Sequence, residues 1–291
     1  MGIFEGVITK GIGGFYYVNT EEGLFECRAR GIFRKRGFAP LVGDCAVIET
    51  SDSSHGVINE VRERKNSLIR PAVANVTRMA VVVAVSSPVP NPYILDKLIA
   101  SAEFAKLKIA VCFNKSDLGG SEDLVEAYKN AGFEVVVTSA AENIGIDELK
   151  NFLANEITVF AGNSGVGKSS LINRLMERDM FETGTVSEKL ERGRHTTRHS
   201  ELAPLPFGGY IIDTPGFSSF DVNTIPLEGL SDMFREFGNV EGGCRFPDCS
   251  HRTEPDCCII NAVRDGKIAV SRHESYVQLY NEIKTAKENI Y

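Results

Sequence analysis

The sequence has 291 residues, 43% of them hydrophobic and 24% charged. At roughly 150 residues per domain this is chain for about two domains with at least one sizeable core, and the composition excludes disordered and fibrous classes. With 32 basic against 39 acidic residues the net charge is -7, which argues against a whole-surface nucleic-acid binder but leaves room for a local basic face.

No stretch reaches the ~18 apolar residues of a membrane span. The Met1-Gly2-Ile3-Phe4 start lacks the basic and apolar regions of a secretory signal. The seven cysteines are Cys27, Cys45, Cys112, Cys244, Cys249, Cys257 and Cys258. An odd number, with four crowded together, suits a reduced compartment and a metal site better than a disulfide framework. A cytoplasmic monomer without membrane contact is expected.

Residues 1–68 read as five short strands (2–9, 14–19, 24–30, 45–49 and 56–61) punctuated by Gly and acidic turns, which suggests a small barrel. Arg28, Arg30, Arg34, Lys35 and Arg36 place five cations in nine residues. Such a segment is either a nucleic-acid face or a solvated charged loop.

Residues 69–225 alternate strand and helix patterns. Strands are expected at 79–85, 108–113, 134–137, 157–160 and 209–212, with helices at 93–107, 122–131, 146–153 and 168–176. This is a mostly parallel sheet covered by helices. Residues 226–291 carry a Cys/His cluster and helical patterns at 259–265 and 271–290.

Three loops carry the chemistry of the central segment. Gly162-Asn163-Ser164-Gly165-Val166-Gly167-Lys168-Ser169 fits the phosphate-binding pattern between a strand and a helix, with Ser170 following. Its backbone N–H groups would face phosphates, Lys168 would reach the β- and γ-phosphates, and Ser169 would ligate Mg²⁺.

Asn114-Lys115-Ser116-Asp117 closes the strand 108–113. The Asp117 carboxylate can accept from N1–H and the exocyclic amine of guanine together, a pair adenine does not offer. Asn114 would tie this loop to the phosphate loop, and the Lys115 stem would cover the base plane. Thr138, Ser139 and Ala140 would line the other side of the base.

Asp213-Thr214-Pro215-Gly216 follows the strand 209–212. Asp213 would hold Mg²⁺ through water, and the Gly216 N–H would contact the γ-phosphate. In the polar loop before it, Thr197 is the preferred Mg²⁺ hydroxyl, with Thr196 next. Phe217 cannot orient water, so His195 is the nearest candidate for that role. The alternative is that His195 contacts RNA or nothing.

In chain order the base-reading loop precedes the phosphate loop, the reverse of an ordinary GTPase. A circular permutation leaves the core contacts intact and puts the γ-phosphate sensor next to the C-terminal segment. There, Cys244-x4-Cys249-x-His251-x5-Cys257 offers three thiolates and one imidazole, a set suited to one tetrahedral, structural Zn²⁺. Cys258 is expected to point away from that site.

Together with Arg28-Ala29-Arg30-Gly31, Leu41-Val42-Gly43-Asp44 and Arg192-Gly193-Arg194-His195-Thr196-Thr197, these motifs resemble the bacterial circularly permuted GTPases of small ribosomal subunit biogenesis over essentially the whole chain. Arg198 departs from the pattern of members with a third threonine there. The resemblance implies a multidomain fold: an N-terminal OB-fold β-barrel for RNA at 1–68, a permuted α/β P-loop GTPase domain at 69–225 and a zinc-binding, helical C-terminal domain at 226–291.

It also implies GTP hydrolysis stimulated by the small subunit, contact with rRNA, and assistance to assembly factors leaving a late subunit. It places a catalytic histidine at His195 and zinc ligands at Cys244, Cys249, His251 and Cys257. A GTP-dependent binding module for another RNA partner is the competing reading. A phosphate-loop metabolic kinase is disfavoured by the base-reading loop.

Overall fold

A computed structural model of the chain describes residues 2–50, 52–68, 72–177, 201–213 and 222–289. The chain divides into two compact units, residues 1–78 with 153–159 and 182–216, and residues 79–152 with 160–181 and 217–291. Among the described residues no helix is long and apolar enough to cross a membrane.

The first unit begins with β1 (Ile3–Ile12), β2 (Phe15–Thr20), β3 (Gly23–Ala29), β4 (Cys45–Thr50) and β5 (His55–Val61). These are the five expected strands, with β1 three residues longer at its end. β1 pairs antiparallel with β2 and β4, β2 with β3, and β4 with β5, while β3 runs parallel to β5. The five strands therefore close into a barrel without an open edge. Alternation puts one face of each strand inward, and Ile8, Val18, Phe25, Cys27, Ala46, Ile48 and Ile58 fill the interior.

The basic segment after β3 contains a five-residue helix, α1 (Gly31–Lys35), with no buried residue. Only Phe33 packs against the barrel core, and five residues are too few for a helical period to announce it. A short antiparallel pair follows, β6 (Ser67–Leu68) and β7 (Val73–Ala74).

The second unit opens on β8 (Arg78–Ala84), buried from Met79 onward. Then come α2 (Pro92–Phe104), β9 (Lys108–Asn114), α3 (Glu122–Asn130), β10 (Glu134–Val137) and α4 (Ile146–Leu153). Asn91 caps α2 by accepting from the Ile94 N–H, and Pro92 stands at its first position. β9 lies between β8 and β10, and β9 and β10 are parallel.

All residues of β11 (Ile157–Ala161) are buried. Phe160 and Ala161 lead into the glycine-rich loop and α5 (Lys168–Met176) of the second unit. The chain returns to the first unit with β12 (Glu201–Pro204) and β13 (Tyr210–Asp213). β13 is parallel to the start of β11 and antiparallel to β12, and Glu201 of β12 stands opposite Lys10 of β1. β12 was not expected, and it makes the arrangement mixed rather than parallel at that point.

The C-terminal part of the second unit holds α6 (Arg235–Gly238), α7 (Cys258–Arg264) and α8 (Val270–Glu288). Phe234, Phe237, Tyr276, Leu279 and Ile283 form a core there that includes Ala100 of α2. Arg272 of α8 is 1% exposed and binds Glu236 through Nε (2.6 Å) and Nη2 (3.0 Å). Its Nη1 donates to Asp96 of α2, which also accepts from the Tyr128 hydroxyl at 2.6 Å. One guanidinium thus serves two buried carboxylates, and its charge-assisted hydrogen bonds hold the geometry of this dry cluster.

Candidate functional site

Three loops of the second unit meet around one side chain, Asn114 at the end of β9, which is 1% exposed. Its Nδ2 donates to the Val166 carbonyl of the glycine-rich loop at 2.9 Å. Its Oδ1 accepts from the Thr138 hydroxyl and the Ala140 N–H, both at 3.2 Å. The expected tie between base-reading and phosphate loops is present, and it extends to the loop after β10.

The same three loops share other bonds. The Ser116 N–H donates to the Thr138 carbonyl at 3.1 Å, and the Ser139 hydroxyl donates to Asp117 Oδ1. Lys115, at φ 64, sends Nζ to the Ser87 carbonyl at 2.6 Å. Asp117 is exposed at the mouth of the site.

The glycine-rich loop needs its glycines. A Cβ at Gly167, at φ +95, would lie 2.2 Å from Asn114 Nδ2, and one at Gly162, at φ +142, would lie 2.2 Å from the Val82 carbonyl. Asn163, Ser164 and Gly165 are exposed, Val166 is buried, and Ser169 and Ser170 in the first turn of α5 are half-buried. The α5 N-terminus directs free N–H groups toward this loop. Lys168 Nζ donates to the carbonyls of Gly162 and Asn163, each at 2.7 Å, inside the loop. Burial pushes its pKa down to about 8, and an anion held in the loop would restore its proton.

Sequence reasoning missed Arg174 of α5. Its Nε donates to the Ala140 carbonyl at 2.8 Å, fixing the loop after β10 from the phosphate-loop helix. An arginine in the last turn of a helix carries no local signal of that partner 34 residues away.

Asp213 ends β13 in the first unit. His195, Thr196, Thr197 and Gly216 lie outside the described residues.

In the second unit Cys244, Cys249, His251 and Cys257 bring their ligand atoms within 4.8 Å of one another. His251 Nδ1 is 3.4 Å from the Sγ atoms of both Cys244 and Cys257, which are 3.7 Å apart. Bonds of about 2.3 Å to sulfur and 2.0 Å to nitrogen make tetrahedral edges of ~3.8 Å and ~3.5 Å, so these residues fit a four-coordinate metal.

Burial pushes the His251 pKa down, favouring the neutral imidazole a ligand must have. The ligand loop is braced from outside. Glu254 accepts from the N–H groups of Ser250, Arg252 and Thr253, the His273 ring binds the His251 carbonyl at 2.7 Å, and the Tyr276 hydroxyl donates to the Ser250 carbonyl at 2.9 Å. Cys258 does not point away: its Sγ lies 3.3 Å from that of Cys244. It opens α7, where the chain turns back beside the first ligand.

Residues 61–223 match the family described as RsgA GTPase, and residues 5–58 match the RsgA N-terminal domain. A protein named small ribosomal subunit biogenesis GTPase RsgA from Caldanaerobacter subterraneus subsp. tengcongensis is 47% identical over 290 residues, covering 99% of this chain and 98% of its own. One of the same name from Ruminiclostridium cellulolyticum is 47% identical over 286 residues, covering 96% and 93%.

The crystal structure of YjeQ from Thermotoga maritima has a TM-score of 0.81 at 36% identity, over 97% of this chain and 99% of that one. YloQ, a circularly permuted GTPase, has a TM-score of 0.81 at 32% identity, over 98% and 96%. With the closed five-strand barrel, the reversed loop order and a phosphate loop bound to its base-reading loop through Asn114, these likenesses identify the chain: it belongs to the RsgA GTPase family and is a GTP-hydrolysing enzyme.

Proposed function

We propose that this enzyme couples GTP hydrolysis to late maturation of the small ribosomal subunit in the cytoplasm, acting as a monomer. The observation that carries the nucleotide reading is the three-way bonding of Asn114, which makes one site of the base-reading and phosphate loops. The named role of relatives 47% identical over 290 residues supports the assignment to small-subunit biogenesis.

In this reading Asp117 accepts from the guanine N1–H and 2-amine, the Lys115 stem covers the base plane, and Ser116 keeps the loop in register. Thr138, Ser139 and Ala140 close the other side of the base. The N–H groups of residues 162–167 and the Lys168 ammonium bind the phosphates, with Ser170 in the same helical turn.

Ser169, Thr197 and Asp213 would hold Mg²⁺, which when bound neutralises charge developing on the β- and γ-phosphate oxygens. Thr196 is the alternate hydroxyl. His195 orients the attacking water through its imidazole, and the Gly216 N–H registers loss of the γ-phosphate. Cys244, Cys249, His251 and Cys257 would hold one structural Zn²⁺.

The segment 1–68 binds rRNA, 69–225 turns over GTP, and 226–291 carries the metal. The basic runs 28–36 and 192–198 face rRNA. Binding to the subunit speeds hydrolysis, and hydrolysis helps assembly factors leave. The test is GTP turnover with and without purified small subunits at matched salt, for the parent and His195→Ala. Strong stimulation lost in His195→Ala is expected. Full stimulation of His195→Ala overturns the role of that residue, and no stimulation of the parent overturns the coupling to the subunit.

A further inference from the structure

We propose that Cys244 and Cys258 are a hydroperoxide-sensitive thiol pair whose disulfide withdraws one ligand from the metal centre. This rests on the reading of Cys244, Cys249, His251 and Cys257 as that centre. The Sγ atoms of Cys244 and Cys258 are 3.3 Å apart. That is nearer than the 3.7 Å between Cys244 and Cys257 and below the ~3.8 Å edge of a tetrahedral thiolate pair. Cys258 thus touches a ligand sulfur, yet the four ligand atoms that lie within 4.8 Å of one another do not include its own.

Closing that contact to the ~2.05 Å of a disulfide needs a shift of about 1.3 Å. Cys244 lies in an irregular segment and Cys258 at the first residue of α7, so the loop can supply the movement. Both are half-buried, whereas Cys257 is 1% exposed. A thiol outside the tetrahedron keeps its sulfur electron pairs for an oxidant, while metal-bound thiolates share theirs. Elsewhere Cys27 and Cys112 are buried, and Cys45 is hydrogen-bonded to Glu5.

The chemistry balances with a hydroperoxide as oxidant. The Cys258 sulfur attacks the terminal peroxide oxygen, the O–O bond breaks, and water or an alcohol leaves with the thiol proton. Cys258 becomes a sulfenic acid. The Cys244 sulfur then attacks the Cys258 sulfur, the S–S bond forms, and hydroxide leaves as water after taking one proton. The two sulfurs together lose the two electrons that reduce one hydroperoxide. Cys249, His251 and Cys257 remain as three ligands, too few to hold a structural zinc at its former affinity. A dithiol reductant reverses the step.

The test uses the full chain loaded with zinc and treated with hydrogen peroxide, in parallel with Cys258→Ser and Cys258→Ala. A chromogenic chelator reads zinc release, and mass spectrometry of unreduced peptides maps disulfides. The parent should form the 244–258 disulfide while losing its zinc, and regain zinc after dithiothreitol. The variants should hold zinc before oxidation and lose it severalfold more slowly. Equal release from parent and variants, or a parent disulfide joining two of the ligand cysteines, overturns the proposal. A parent that takes up no zinc before treatment overturns the metal reading instead, and the disulfide map then still decides the pairing.

Discussion

Replacing Asn114 with alanine tests whether one buried amide organises the nucleotide site. The side chain is 1% exposed, and its partners Val166, Thr138 and Ala140 are 3%, 0% and 7% exposed. Asn114→Ala strands the Val166 carbonyl and the Ala140 N–H, while the Thr138 hydroxyl can rotate toward another acceptor. A buried unsatisfied polar group costs about 1–3 kcal/mol, so the two backbone groups together lose about 2–4 kcal/mol after partial relaxation.

Part of that loss loosens the loop after β10, and part separates it from the phosphate loop. Hydrogen exchange of residues 138–142 in the nucleotide-free chain should speed up roughly 10- to 100-fold, and calorimetric GDP affinity should fall at least about tenfold, at 1.4 kcal/mol per factor of ten. Asn114→Asp keeps an acceptor for the Ala140 N–H but sets a carboxylate against the Val166 carbonyl. It should spare exchange at 138–142 while still weakening GDP. Unchanged exchange and unchanged affinity in Asn114→Ala would refute the reasoning.

Arg272→Met should destabilise the C-terminal part by about 3–5 kcal/mol, since it leaves the Asp96 and Glu236 carboxylates buried without their cation. Burial already raises the Asp96 pKa despite Arg272, and the variant should raise it further. A raised carboxyl pKa contributes stability in acid that is lost as pH rises through it, so denaturation midpoints should show the defect shrinking at low pH. The Lys168 pKa of about 8, pushed down by burial, means the unfolded chain binds more protons above that pH. The nucleotide-free parent should therefore gain stability, relative to Lys168→Met, as pH rises from about 8 toward the ordinary lysine value of ~10.4. Cys249→Ser should lower zinc content by metal analysis and loosen residues 239–257 in hydrogen exchange, whereas unchanged zinc content would contradict its place as a ligand.

Where side-chain period and local punctuation agree, the elements stood plainly in the sequence. The strand Glu134–Val137 and the helices Ile146–Leu153 and Lys168–Met176 begin and end where their patterns do. The loops around Asn114 and Gly162 stand out in the sequence because their residues match the phosphate-binding and base-reading patterns at fixed spacing. Glu201–Pro204 was missed because only Leu202 and Ala203 are buried in it, too short a run for a period of two to show.

The helix Gly31–Lys35 is five residues long and sets only Phe33 against the barrel core, so its sequence reads as a charged loop. The remaining omissions are long-range. Arg272 meets Asp96 across 176 positions, and Arg174 meets Ala140 across 34, distances at which a single sequence holds no sign of pairing. The place of Cys258 is hidden in the sequence for a related reason. Adjacency to Cys257 predicts a side chain that diverges from the ligands, yet the turn into α7 brings its sulfur beside Cys244.

In the proposed function Asp117 reads a guanine base held by loops meeting at Asn114. Guanine presents two donors, N1–H and the 2-amine, which a carboxylate accepts together. Xanthine presents N1–H and a 2-carbonyl, which suit an amide. Hydrolysis of GTP and XTP by the parent and by Asp117→Asn tests this directly. The parent should favour GTP, and Asp117→Asn should reverse the preference with a change in the kcat/KM ratio of about a hundredfold or more. A variant that keeps the parent's preference for GTP would contradict it.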